Sequence, residues 1–180
     1  MAPFAKQRLG PESIREIVFG VEDGMVQNMT LIAGMVGATL SDGVIVLAGV
    51  VNAVAGVLSM SMGTFLSSQA ERDALLASGV AAPVARSPLR DAGVMAAAYG
   101  VGAVVPLLPF TMPFIGRSAA MVVAVILTAV GLFALGMLKG AVSRLGRVRT
   151  GLQLLALASA AGVAGYLIGT VARAVFGLSA

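Results

Sequence analysis

Five long apolar runs, set apart by short polar stretches, organise the chain. They cover residues 17–40, 44–67, 92–110, 118–138 and 152–176. A helix needs ~20 apolar residues to cross the hydrocarbon core of a bilayer, and each run is about that long. No ten-residue segment of alternating polarity repeats along the chain, so the strands of a membrane barrel are not expected. The pattern predicts an all-α integral membrane protein with five transmembrane helices in one transporter-sized domain, 1–180. The third run ends among Pro106, Pro109 and Pro113. Proline frees a carbonyl and kinks a helix, which either opens a cavity or bends the chain out of the membrane. The one sizeable connection, 68–91, begins with residues that can prolong the second helix. Its Ala82-Pro83 and Ser87-Pro88 steps then end any helix.

Composition narrows the class. The chain is 58% hydrophobic and 11% charged, more apolar surface than a soluble domain of this length can hide. It has no Cys and no His. That excludes disulfides, thiolate metal sites and a cysteine nucleophile, and removes the commonest catalytic base. No nucleophile, base and orienting group form a set, so an enzyme is not expected.

The net charge of +4 reads as membrane topology rather than as a nucleic-acid footprint. Lys6, Arg8 and Arg15 precede the first run; Arg72, Arg86 and Arg90 lie between the second and third; Lys139, Arg144, Arg147 and Arg149 lie between the fourth and fifth. Only Arg117 and Arg173 fall on the other side. Positive-inside bias therefore predicts a cytoplasmic N-terminus and an outside C-terminus.

Small residues recur at helical spacing. Gly49, Gly56 and Gly63 are seven apart, and Ala161, Gly165 and Gly169 four apart. Such stripes let helix backbones approach closely, either within the chain or across a homodimer face.

The first run carries an acidic pair, Glu22 and Asp23, with Gln27, Asn28 and Thr30 after it. Ionisable groups within a membrane helix are expensive and mark ion pathways more often than not. Asp23, Gln27 and Thr30 share one helix face, and Glu22, Met25 and Met29 another. Neighbours on a helix point about 100° apart, so the two carboxylates divide the work. Asp23 is expected to bind a metal directly, and Glu22 to assist it or to hold the proton that the metal displaces. The second run adds Asn52, Gly56, Ser59, Met60 and Gly63 on one face. Carboxylate, amide oxygen and thioether together suit a divalent transition metal of intermediate softness. Without Cys or His a tight structural zinc site is not expected. One first helix cannot enclose an ion, so a two-fold homodimer, which doubles the ligands, is expected. The plainer readings are an interfacial acidic pair and methionines that only fill the core.

The stretches "REIVFGVEDGMV", "LIAGMVGA", "AGVVNAVAGVLSMSMGTFLSSQAERD" and "GVGAVVPLLPF" resemble the vacuolar iron transporter family, over residues 15–110. That family includes plant and yeast vacuolar iron and manganese transporters and bacterial relatives. The resemblance implies five transmembrane helices, a homodimer with the metal path between subunits, and proton-coupled export of ferrous iron from the cytoplasm. It puts the pathway aspartate at Asp23 and the pathway methionine at Met60; Gln27 and Thr30, on the face of Asp23, and Ser59, on the face of Met60, are expected to line the path. The family's second-helix glutamate falls on Asn52. Eukaryotic members carry a glutamate-rich cytoplasmic metal-binding region between the second and third spans. Here that connection has only Glu71, Asp73 and Asp91 as acids, which marks a short form. The expectation is thus a bacterial inner-membrane antiporter whose partners are protons, lipid, a second copy and Fe²⁺, with Mn²⁺ as a further cargo and no resident cofactor. A passive divalent-cation pathway, or a structural or regulatory subunit with a vestigial site, is the alternative.

Overall fold

Proline and glycine set most of the helix boundaries. The computed structural model describes residues 11–79, 87–143 and 146–177. Five helices cover them: α1 (Pro11–Gly37), α2 (Asp42–Ala77), α3 (Pro88–Leu107), α4 (Arg117–Val142) and α5 (Arg147–Phe176). No strand occurs among the described residues. Pro88 opens α3 just inside its start, where a missing N–H costs nothing. The helix tolerates Pro106 but tightens to a 3₁₀ turn, Leu108–Thr111, around Pro109. Gly177 closes α5 in the left-handed conformation, at φ 62°. Lys6, Arg8, Pro83, Arg86 and Arg144, which the sequence reading used, lie outside the described residues.

The protein is an all-helical integral membrane protein. Helices α2, α4 and α5, and α3 continued through its 3₁₀ turn to Thr111, are long and apolar enough to cross a membrane. Helix α1, 27 residues, has the length. Its Glu22, Asp23, Gln27 and Asn28 lower its apolarity. Helix α2 runs ten residues past the predicted 67, so the start of the long connection is helical. Its 36 residues measure about 54 Å, more than a ~30 Å hydrocarbon core needs.

Helices α1 and α3 form the centre; α2 packs on α3, α5 on α1, and α4 on α5. Glycine makes the central crossing close. A Cβ on Gly24 would strike the Tyr99 carbonyl, and one on Gly102 the Val21 carbonyl. On the other flank Gly165 and Gly169 lie against the backbone of Thr30 and Gly34. Gly20 meets Ala98 and Gly24 meets Ala103, just as Thr30 meets Gly165 and Gly34 meets Gly169, so α1, α3 and α5 run parallel. Gly49 meets Leu107 and Gly56 meets Tyr99, so α2 runs against them. The predicted glycine stripes are thus used within the chain at Gly49, Gly56, Gly165 and Gly169. Gly63 alone of them has open space before it.

The apolar core gathers Met29, Ile32, Ile45, Leu107, Phe110, Ala120 and Ala124. Much of the outer face of α2, α4 and α5 is also apolar and exposed, including Leu47, Val51, Val130, Leu157 and Ile168. That is the surface a bilayer covers. At one end of the bundle Arg117 Nε donates to Asp42 Oδ1 at 2.7 Å, joining the starts of α2 and α4.

Candidate functional site

The polar residues of α1 sort onto three neighbours. On the α4 side stand Glu22, Met25 and Met29, one above another. Lys139 Nζ lies 3.8 Å from Glu22 Oε2. Gly131 makes room for the Met25 thioether, and Met29 shares an apolar cavity with Met121 and Val125. On the α3 and α2 side stands Asn28, fully buried at 0% exposure. Its Nδ2 donates to the Ala103 carbonyl at 2.7 Å, and its Oδ1 accepts from Asn52 Nδ2 at 3.1 Å. Between these two sides lies an open face with Phe19, Asp23 and Gln27.

Asp23 is half-buried on that face. Its Oδ2 accepts a long hydrogen bond, 3.4 Å, from Gln27 Nε2. Gln27 Oε1 accepts from the Tyr99 hydroxyl at 2.6 Å. Asp23 lines a cavity of about 130 Å³ with Phe19, Glu22, Val26, Leu154 and Leu157. A carboxylate among such apolar side chains is poorly hydrated, and a cation is the partner that relieves it. Thr30 spends its hydroxyl on its own helix, donating to the Val26 carbonyl at 2.7 Å. It packs beneath Gly165 rather than presenting an oxygen to the open face.

Met60 and Ser59 sit elsewhere. They line a cavity of about 430 Å³ between α1, α2 and α3, with Glu16, Glu71, Asp91 and Thr64. A second cavity of about 430 Å³ lies between α1 and α4, lined by Arg15, Val18, Glu22, Lys139 and Ser143 among others. Phe19, 51% exposed, borders both of these cavities and the small one beside Asp23.

The predicted site residues are therefore only partly brought together. Glu22, Asp23 and Gln27 adjoin one another. Asn52 is committed to Asn28, and Met60 faces a separate cavity. Among the described residues no three carboxylates converge as a metal cage. Tyr99, within an apolar run, carries no sequence signal of its bond to Gln27. Lys139, beside Glu22, and Glu16, 8% exposed, are likewise set at the site by the packing of α1. Position offered a signal for Lys139: it lies inside the last turn of α4 rather than beyond it.

A model of the VIT family matches this chain over residues 14–81 and 78–170. The chain belongs to the VIT family. It is 34% identical over 154 residues to vacuolar iron transporter homolog 2 of Arabidopsis thaliana, covering 79% of this chain and 75% of that protein. It is 24% identical over 219 aligned positions to vacuolar iron transporter 1 of Tulipa gesneriana, covering 90% and 88%. A third relative, vacuolar iron transporter 1 of Eucalyptus grandis, is 26% identical over 185 positions. VIT family proteins are transporters, not enzymes. The two matched segments meet at 78–81, in the connection between α2 and α3.

Proposed function

We propose that this VIT family protein carries divalent transition metals, Fe²⁺ first and Mn²⁺ second, out of the cytoplasm in exchange for protons. The observation that carries the reading is Asp23, a carboxylate half-buried beside a small cavity that α1 forms with Leu154 and Leu157 of α5. Its relatives' names, vacuolar iron transporters, supply the cargo. Asp23 binds the metal directly. Glu22, turned toward α4, holds the proton that exchanges with it. Met60, with Glu16, Glu71 and Asp91 around its cavity, offers softer and harder donors where metal enters. That cavity and Lys139 lie at the end of the bundle where Arg15 stands, which positive-inside bias makes cytoplasmic.

A second copy completes the site. One chain offers Asp23 few partners of its own, and a two-fold axis along the open face of α1 doubles the carboxylates. The membrane we assign is a bacterial inner membrane, since the α2–α3 connection lacks a glutamate-rich segment. Asn52 favours one alternative, a passive divalent-cation path. An amide there neither binds nor releases a proton.

The test uses the full chain in proteoliposomes under anaerobic conditions. Fe²⁺ should accumulate in the lumen when the lumen is acidic, and the rate should fall when an ionophore collapses the gradient. Fe²⁺ entry no faster than into protein-free vesicles would end the transporter reading. Entry indifferent to the gradient would favour the passive path.

A further inference from the structure

The Tyr99–Gln27–Asp23 chain carries an inference that rests on the reading of Asp23 as a cation ligand. Tyr99 is fully enclosed, at 0% exposure, with its phenol against Gly56 of α2. Its hydroxyl lies 2.6 Å from Gln27 Oε1, so the hydroxyl donates and the amide oxygen accepts. That turns Gln27 Nε2 toward Asp23 Oδ2, at 3.4 Å.

We propose that Tyr99 is a positioning residue that withholds the Gln27 amide oxygen from the cation at Asp23 and thereby sets which divalent ions the site accepts.

The empty and loaded sites ask different things of the amide. Without a cation, both neighbours hold Gln27 as observed. A flip would set Oε1 against the carboxylate oxygen, two acceptors face to face. With a divalent cation on Asp23 the preference on that side reverses. An N–H now points at positive charge, and an amide oxygen is a good ligand for a hard ion. Only Tyr99 then opposes the flip. A flipped amide would present Nε2 to the phenol, and the buried hydroxyl would lose its acceptor. Tyr99 thus keeps one oxygen out of the ligand set. Oxygen donors favour Mn²⁺ over softer first-row ions, so withholding one biases the site away from Mn²⁺.

The experiment measures binding of Mn²⁺ and of Co²⁺, an air-stable softer probe, to the full chain in nanodiscs, with transport KM and kcat measured in vesicles. Tyr99→Phe removes only the hydroxyl. It should tighten Mn²⁺ about threefold to tenfold, the worth of one hydrogen bond, and Co²⁺ by less. The change should appear in KM rather than kcat. Adding Gln27→Leu, which has no oxygen to offer, should abolish the shift in the Mn²⁺/Co²⁺ ratio. Gln27→Leu alone should keep the wild-type ratio, because the oxygen is already withheld. An equal change for both metals in Tyr99→Phe, or a ratio shift that survives Gln27→Leu, would make Tyr99 a packing residue. A selective loss of Mn²⁺ in Gln27→Leu alone would show that the oxygen is a ligand in the native site, and would overturn the proposal independently of how Tyr99→Phe folds. If Asp23→Asn binds Mn²⁺ as the native chain does, the cation reading and this inference both fall. If Asp23→Asn loses Mn²⁺ and Tyr99→Phe leaves the ratio unchanged, only this inference does.

Discussion

Two polar regions of α1 lie barely two turns apart and have opposite fates. Asn28 is sealed: fully buried, donating to Ala103 and accepting from Asn52, so that α1, α2 and α3 are tied at one level. Glu22 and Asp23 stand open, each beside a cavity, with partners at 3.8 and 3.4 Å that hold them loosely. The sealed amides act as glue between helices, because a polar group in hydrocarbon must find its partner within the protein. The open carboxylates keep capacity for a cation or a proton. Polarity in a membrane helix therefore does not by itself mark function; what saturates the polar group does.

That contrast breaks if the sealed region proves functional or the open one structural. The largest effect on stability is expected from Asn28→Leu. It strands the Ala103 carbonyl and the Asn52 amide, and should cost about 2–3 kcal/mol while leaving transport per folded molecule within about threefold. Thermal melting with flux on the same preparation checks this. Lost flux at native stability would put Asn28 in the pathway instead. Glu22→Gln should do the reverse: melting unchanged, flux reduced by less than about tenfold, and a weaker response to the pH gradient. Flux measured across a range of lumenal pH decides it, and an unaltered pH response would take the proton role from Glu22. Smallest is Lys139→Gln. The pair is long and Lys139 is 45% exposed, so its loss should change stability by under about 1 kcal/mol. A collapse of the fold in Lys139→Gln would mean that the α1–α4 contact depends on this pair.

Four of the helices were legible as spans by length and apolarity; α1 was legible as a helix, starting six residues before its predicted run and ending three short of it at Gly37, and α2 runs ten residues past its own. The split of Glu22 from Asp23 was legible too, since it follows from the helical repeat alone: one faces α4 and the other the open groove. Asn52 was not. Its spacing with Ser59 and Met60 is real, but Asn52 is turned to α1 while Met60 and the exposed Ser59 border a cavity. Which partner meets each depends on where α1 and α3 stand, and Asn28 reaches Asn52 first. The glycine stripes left a similar ambiguity. Spacing says that a backbone can approach, not whose backbone, and here Gly165 and Gly169 receive α1 of the same chain. Tyr99 was invisible because its role rests on a hydrogen bond to a residue 72 positions away.

The central claim is that Asp23 is the residue that meets the cation, and Asp23→Asn tests it most directly. The substitution keeps size and hydrogen-bonding capacity and removes only the charge. Fe²⁺ flux into proteoliposomes should fall about a hundredfold or more, beyond what loss of a supporting residue costs a metal site, with the melting temperature unchanged. A folded Asp23→Asn protein that transports Fe²⁺ at the native rate would contradict the account.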